Sequence, residues 1–204
     1  MILKQDILLA IEAQRELLTE KTGTISRNFM KKFYPTGKHI EVFSGIRRCG
    51  KRSLMKQISR TRYQKTAYFN FEDARVHGFE VNDFLKLDEV FGTGIDAYFF
   101  DEIQNVPSWE VFVRQLHDRN EKIYITGSNA TLLSKELGTR LTGRNIRHEL
   151  FPFSYDEFLR YKLLSRDAVS FAEYLNNGGF PEFLDTESPE VLQNILRDIV
   201  FRDI

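Results

Sequence analysis

Seven residues, Gly45-Ile46-Arg47-Arg48-Cys49-Gly50-Lys51, follow the apolar run HIEVF and precede a segment with helical periodicity. Their spacing is G-x-x-x-x-G-K, and the chemistry that spacing serves is polyphosphate binding. The glycines let successive main-chain N–H groups curl into a concave anion site. A helix opening near Lys51 adds the positive end of its dipole, and Lys51 can reach the β- and γ-phosphates. Such a loop ordinarily continues with Ser or Thr, whose hydroxyl holds Mg2+. Here Arg52 takes that place and Ser53 follows one residue late, about 100° further round a helix. The amides are untouched by the change, so phosphate binding is expected to survive while Mg2+ affinity falls.

A second run, Ala97-Tyr98-Phe99-Phe100, ends in two carboxylates, Asp101 and Glu102. At a strand end, Asp101 suits the holding of Mg2+ through water, and Glu102 suits polarising the water that attacks a γ-phosphate. The alternative is that Arg52 pairs directly with Asp101, a side chain replacing the cation. Thr126-Gly127-Ser128-Asn129 closes the next apolar run. Ser128 or Asn129 there can sense a γ-phosphate or cap a helix. Arg140, Arg144 and Arg147 form a basic cluster, read either as an arginine finger offered to a neighbouring subunit or as a solvated face. Arg47 and Arg48 carry the same two readings. Cys49, beside Arg48 and Lys51 near a helix N-terminus, is expected to have a lowered thiol pKa. Glu72-Asp73 reads as a turn near the site, and His39, His77, His117 and His148 have no metal spacing.

These groups need a scaffold that brings strand ends together. Short apolar runs at 39–43, 66–71, 97–100 and 122–126 alternate with helical patterns at 53–60, 81–90, 109–120 and about 130–137. That alternation predicts an α/β fold with a parallel sheet and right-handed crossovers. Leu3, Ile7, Leu8, Ile11, Leu17 and Leu18 place an amphipathic helix over 2–20, and a short helix is expected over 28–33. After Phe151 the pattern is helical only, at 154–161, 171–176 and 191–204, with a turn at 177–181. Ser154 and Glu157 have capping-box spacing. The organisation expected is a helical segment over 1–38, a core over 39–150 and a helical unit over 151–204. The last helical pattern meets no stop signal, so a cut within a helix and a further C-terminal domain are expected.

Composition narrows the class. Lys plus Arg equals Asp plus Glu, at 29 each, which excludes a nucleic-acid binder held by bulk charge. One cysteine excludes a disulfide framework and a cysteine zinc site. No run has the roughly 20 apolar residues of a membrane helix, and the N-terminus is no signal peptide. A soluble cytoplasmic protein is expected. Eighteen phenylalanines against one Trp point to a core rich in rings.

The strings SGIRRCGK, NFED, FFDEIQNVPSWE, ITGSN, LTGR, PFSYDEFL and GGFPEFL, in this order, resemble a prokaryotic group of AAA+ P-loop ATPases, the archaeal-type ATPases. The resemblance spans about 1–204. It implies a central sheet of order 5-1-4-3-2 sandwiched by helices, with the segment after about Phe151 as a small helical lid. It further implies Asp101 and Glu102 as the Walker B pair, Ser128 or Asn129 as sensor 1, and Arg144 as the arginine candidate. ATP and Mg2+ are the ligands it implies, and hydrolysis to ADP and phosphate the activity, driving a conformational change in a larger protein. A homo-oligomer and a C-terminal domain are the implied partners, with nucleic acid reached only through the full-length protein. Arg52 departs from the GKS or GKT of that group, which leaves a nucleotide-binding regulatory module with little turnover as the alternative.

Overall fold

The computed structural model describes residues 1–19, 25–127, 141 and 143–202. Strands β1 (Ile40–Ser44), β2 (Thr66–Asn70), β3 (Ala97–Asp101), β4 (Ile123–Thr126) and β5 (Asn145–Glu149) form one sheet in the order β2-β3-β4-β1-β5. All four pairings are parallel. Read from the other edge, this is the 5-1-4-3-2 order that the resemblance implies. The expected α/β class stands.

Side chains alternate across the strands with a period of two, and both faces are covered. Ile40, Val42, Phe69, Tyr98, Phe100 and Ile125 face one layer. It holds α1 (Lys4–Thr19), α4 (Asp83–Phe91) and α5 (Trp109–Asp118). Phe43, Tyr68, Phe99 and Tyr124 face the opposite layer, with α2 (Phe29–Lys32) and α3 (Lys51–Arg62). Burial on both sides is why the central strands read as unbroken apolar runs. The rings pack against one another: Phe99 and Tyr124 stack with centroids 4.6 Å apart, and Phe84 and Phe112 at 4.4 Å. Packing of this kind accounts for the phenylalanine content.

Four further helices follow the sheet: α6 (Tyr155–Lys162), α7 (Ala168–Asn177), α8 (Pro181–Thr186) and α9 (Pro189–Arg202). They bury Phe153, Phe158, Leu159, Phe183, Leu184 and Ile195 in a separate cluster. The Ser154–Glu157 capping box is formed at α6. One strand and one α-helix escaped the sequence pattern. β5 (NIRHE) is an edge strand whose Arg147 and Glu149 are exposed, so it shows no apolar run. α8 begins where a turn was expected to end, because Pro181 fits the first helical position and lacks only an N–H that would go unbonded there. The helix expected near 130–137 lies outside the described residues.

Candidate nucleotide-binding site

In a parallel sheet the C-terminal ends of the strands share one edge, where ligands bind. That edge gathers the loop after β1, Asp101 at the end of β3 with Glu102 next to it, and Thr126 at the end of β4. A cavity of about 820 Å³ lies there, lined by Arg47, Arg48, Gly50, Lys51, Arg52 and Ser53, by Glu72, Asp101 and Glu102, and by lid residues that include Phe153, Glu182 and Asp198. Its size is that of a small-molecule site.

The loop needs its glycines for separate reasons. A Cβ at Gly45 would lie 2.3 Å from the Leu150 carbonyl oxygen and 2.9 Å from Cys49 Sγ. Gly50 has φ +98 and lies against Arg27, and it hands the chain directly into α3. Arg48, also at positive φ, completes a backbone with successive changes of hand, the geometry that makes an anion nest. Lys51 is buried, and its Nζ donates to the carbonyls of Gly45 at 2.7 Å and Ile46 at 3.2 Å. Its ammonium is thus held across the loop by main-chain carbonyls.

Arg52 Nε lies 2.7 Å from Asp101 Oδ2. Asp101 is buried, and Tyr68 OH donates to the same oxygen at 2.9 Å while the Thr126 hydroxyl donates to Oδ1. Burial opposes the charge on Arg52, but the Asp101 carboxylate more than offsets it and holds the guanidinium protonated. Burial together with the same carboxylate pushes the Tyr68 phenol far up, keeping it a donor. Both oxygens of Asp101 are therefore engaged, and position 52 offers no hydroxyl. This donor set does not fit a resident Mg2+ bridging the loop and Asp101.

Glu102 follows in a left-handed conformation, φ +54, which costs a non-glycine residue of order 1 kcal/mol and marks many functional sites. Its N–H donates to Thr126 Oγ1 at 3.2 Å and its carboxylate accepts from Gln104. Burial, reinforced by the neighbouring charge of Asp101, raises its pKa although the Gln104 bond opposes that. A raised carboxylate beside a phosphate loop is suited to accept a proton.

Cys49 requires a correction. Its side chain is fully buried in the layer beneath the loop. Burial pushes its thiol up, outweighing the opposing charges of Lys51 and Arg27. The expected reactive thiol is a packing residue, closed to alkylation in the folded chain, and any role in phosphate binding falls to its backbone. Arg144 and Arg147 are exposed, Arg147 on β5. Arg144 directly precedes the strand, at the sheet edge opposite the loop, so it serves no phosphate in its own cavity. Ser128, Asn129 and Arg140 lie outside the described residues. Ser53 lines the cavity, and Glu72 does so as well, accepting from Arg47 at 3.1 Å. Asp73 caps a short 3-10 turn.

Sequence reasoning missed Arg27. It is buried, with Nε 2.8 Å from Glu157, Nη1 donating to the Cys49 carbonyl at 2.8 Å and Nη2 to that of Phe151 at 2.7 Å. One guanidinium thus fixes the loop, the start of the lid and helix α6 together. Tyr68 was legible only as a strand residue; it shares a face with Phe99 and Tyr124 through the parallel register that pairs Tyr68 with Phe99 and Phe99 with Tyr124.

The profile of the AAA domain family matches residues 37–159. An uncharacterized protein of Methanocaldococcus jannaschii is 36% identical over 206 residues, covering 92% of this chain and 46% of its own length. An uncharacterized protein of Haemophilus influenzae is 35% identical over 183 residues, covering 81% and 46%. The chain spans about half the length of the curated relatives it matches. Among solved structures, Aeropyrum pernix ORC1 in complex with DNA superposes with a TM-score of 0.40 at 12% identity, over 81% of this chain and 49% of that one. Saccharomyces cerevisiae RIF2 does so with a TM-score of 0.39 at 13% identity, over 87% and 80%. No described helix is long and apolar enough to cross a membrane. With its glycine loop, strand-end carboxylates and five-stranded parallel sheet matched over residues 37–159, this chain belongs to the AAA domain family and forms an AAA-type nucleotide-binding domain.

Proposed function

We propose that this domain binds ATP through the amides of residues 45–52 and Lys51, and that Arg52 stands where a cation would otherwise neutralise charge beside Asp101. The observation that carries this reading is the 2.7 Å Arg52–Asp101 ion pair, with the Tyr68 and Thr126 hydroxyls donating to the same carboxylate, one on each oxygen. The guanidinium remains about half exposed toward the cavity, so its positive charge is available to phosphate oxygens. The module then holds nucleotide with little need of Mg2+ and turns it over slowly, as a nucleotide-responsive part of a larger protein. Arg144 is the arginine that a neighbouring copy would receive, since it is exposed and remote from its own loop.

Hydrolysis is the second reading, and Glu102 favours it. Its buried, raised carboxylate stands in the cavity beside Lys51. From there it would take a proton from attacking water while Lys51 and the loop amides hold the phosphates. Arg52→Ser separates the two. With the hydroxyl restored, Mg2+-stimulated hydrolysis should rise roughly tenfold or more, measured as phosphate release with and without Mg2+. Wild-type turnover already fast and strictly Mg2+-dependent, or no gain in the variant, would overturn the first reading.

A further inference from the structure

Among the described residues, two arginines tie the lid to the loop, and they differ sharply in burial. Arg27 and Glu157 are each 4% exposed; breaking such a pair leaves an uncompensated buried charge. The second tie is Arg48, the residue at the middle of the loop, whose Nη1 donates to Glu182 of α8 and whose Nη2 lies 3.4 Å from Asp198 of α9. These three side chains are between 28% and 43% exposed, and half-solvated pairs of this kind exchange at small cost. The cavity is accordingly two-sided, with Arg47, Arg48, Lys51 and Arg52 on the loop and Glu182, Asp185 and Asp198 on the lid.

From this arrangement we infer that Arg48 is a latch opened by anions: a triphosphate entering the loop takes over its guanidinium and releases α8 and α9 from Glu182 and Asp198, while Arg27 keeps α6 in place as the pivot. The inference rests on the ATP-binding reading above and gives it a consequence, transmission of occupancy to the lid. Two physical facts drive the exchange. A triphosphate brings several negative charges to the amides on either side of Arg48, against one on each lid carboxylate. Those same carboxylates border the cavity, so their repulsion of the phosphates favours the released position. The lid acids thus compete with the ligand for one cation, and their removal must help the ligand bind.

Calorimetric titration of ATP into wild type, the double variant Glu182→Gln/Asp198→Asn and the single variant Glu182→Gln tests this, with thermal melts to confirm folding. The double variant should bind ATP about three- to tenfold tighter, and Glu182→Gln alone should gain part of that. In an Arg48→Ala background the same neutralisations should gain less than about twofold, because the competition for Arg48 is gone. In wild type, ATP should speed amide hydrogen exchange over 181–202 and leave it unchanged at 155–162. Affinity unmoved by the neutralisations, an equal gain without Arg48, or lid exchange indifferent to bound ATP would overturn the latch while leaving ATP binding standing. No binding by wild type or the double variant would overturn both.

Discussion

Lys51→Ala should weaken ATP binding about 100-fold while leaving the fold intact. Among the described residues Lys51 is the one Lys lining the cavity, and its ammonium is held across the loop by the Gly45 and Ile46 carbonyls. A charge-assisted hydrogen bond contributes about 1.5–3 kcal/mol, and 2.7 kcal/mol corresponds to about two decades of affinity. The Gly45 and Ile46 carbonyls lose a donor, and the bond to Gly45 is buried, so stability should fall by about 1–3 kcal/mol. Calorimetry and a thermal melt on the same preparation separate the effects. Wild-type affinity in the variant would remove Lys51 from the phosphate site, and a collapse of the melt would make it a structural residue.

Arg27→Met should have the largest effect on stability. It removes a guanidinium that makes four-way use of its place: an ion pair with Glu157, hydrogen bonds to the Cys49 and Phe151 carbonyls, and a face over the Phe153 ring at 5.1 Å. Glu157 is left buried with only the Asn28 and Ser154 groups as donors. Breaking a buried pair from one side costs about 3–5 kcal/mol, roughly 10 °C in the melting temperature for a chain of this size. The pH dependence gives a second signature. Burial alone would push Glu157 up, but Arg27, joined by the amides of Ser154 and Asn28, holds its carboxyl below the usual carboxylate range. A folded pKa depressed in this way adds stability that is full above the unfolded value of about 4.3 and is lost as pH falls through the folded value. Wild type should therefore lose stability on acidification below about pH 4 more steeply than Arg27→Met. A melt series from pH 3 to 7 reads both; parallel curves would show that Glu157 does not depend on Arg27.

The sequence was most legible where local geometry is strict. Gly45, Gly50 and Lys51 sit in a pattern that only a tight loop between strand and helix requires, and Asp101-Glu102 follows a run buried on both faces. From Arg52 alone, a guanidinium at the place of a missing hydroxyl, the pair with Asp101 was foreseeable. Less legible were contacts made across long separations. Arg27 and Glu157 are 130 positions apart, and nothing in the polar stretch before Asn28 distinguishes Arg27 from its charged neighbours. Cys49 misled because proximity in sequence to Arg48 and Lys51 suggested a charged surrounding, whereas the loop turns the thiol into the apolar layer. β5 was hidden by its position at the sheet edge, where polar side chains suffice. The lid acids Glu182 and Asp198 acquire meaning only when α8 and α9 are folded over the loop.

The central claim is that the cationic side chains of the loop, Arg52 foremost, do at the phosphates what a divalent ion does elsewhere. It is tested most directly by titrating ATP into the wild-type chain twice, once with Mg2+ and once in EDTA. The account predicts saturable binding in both, with dissociation constants within about threefold of each other. Heat that appears only with Mg2+, or in neither titration, would contradict it.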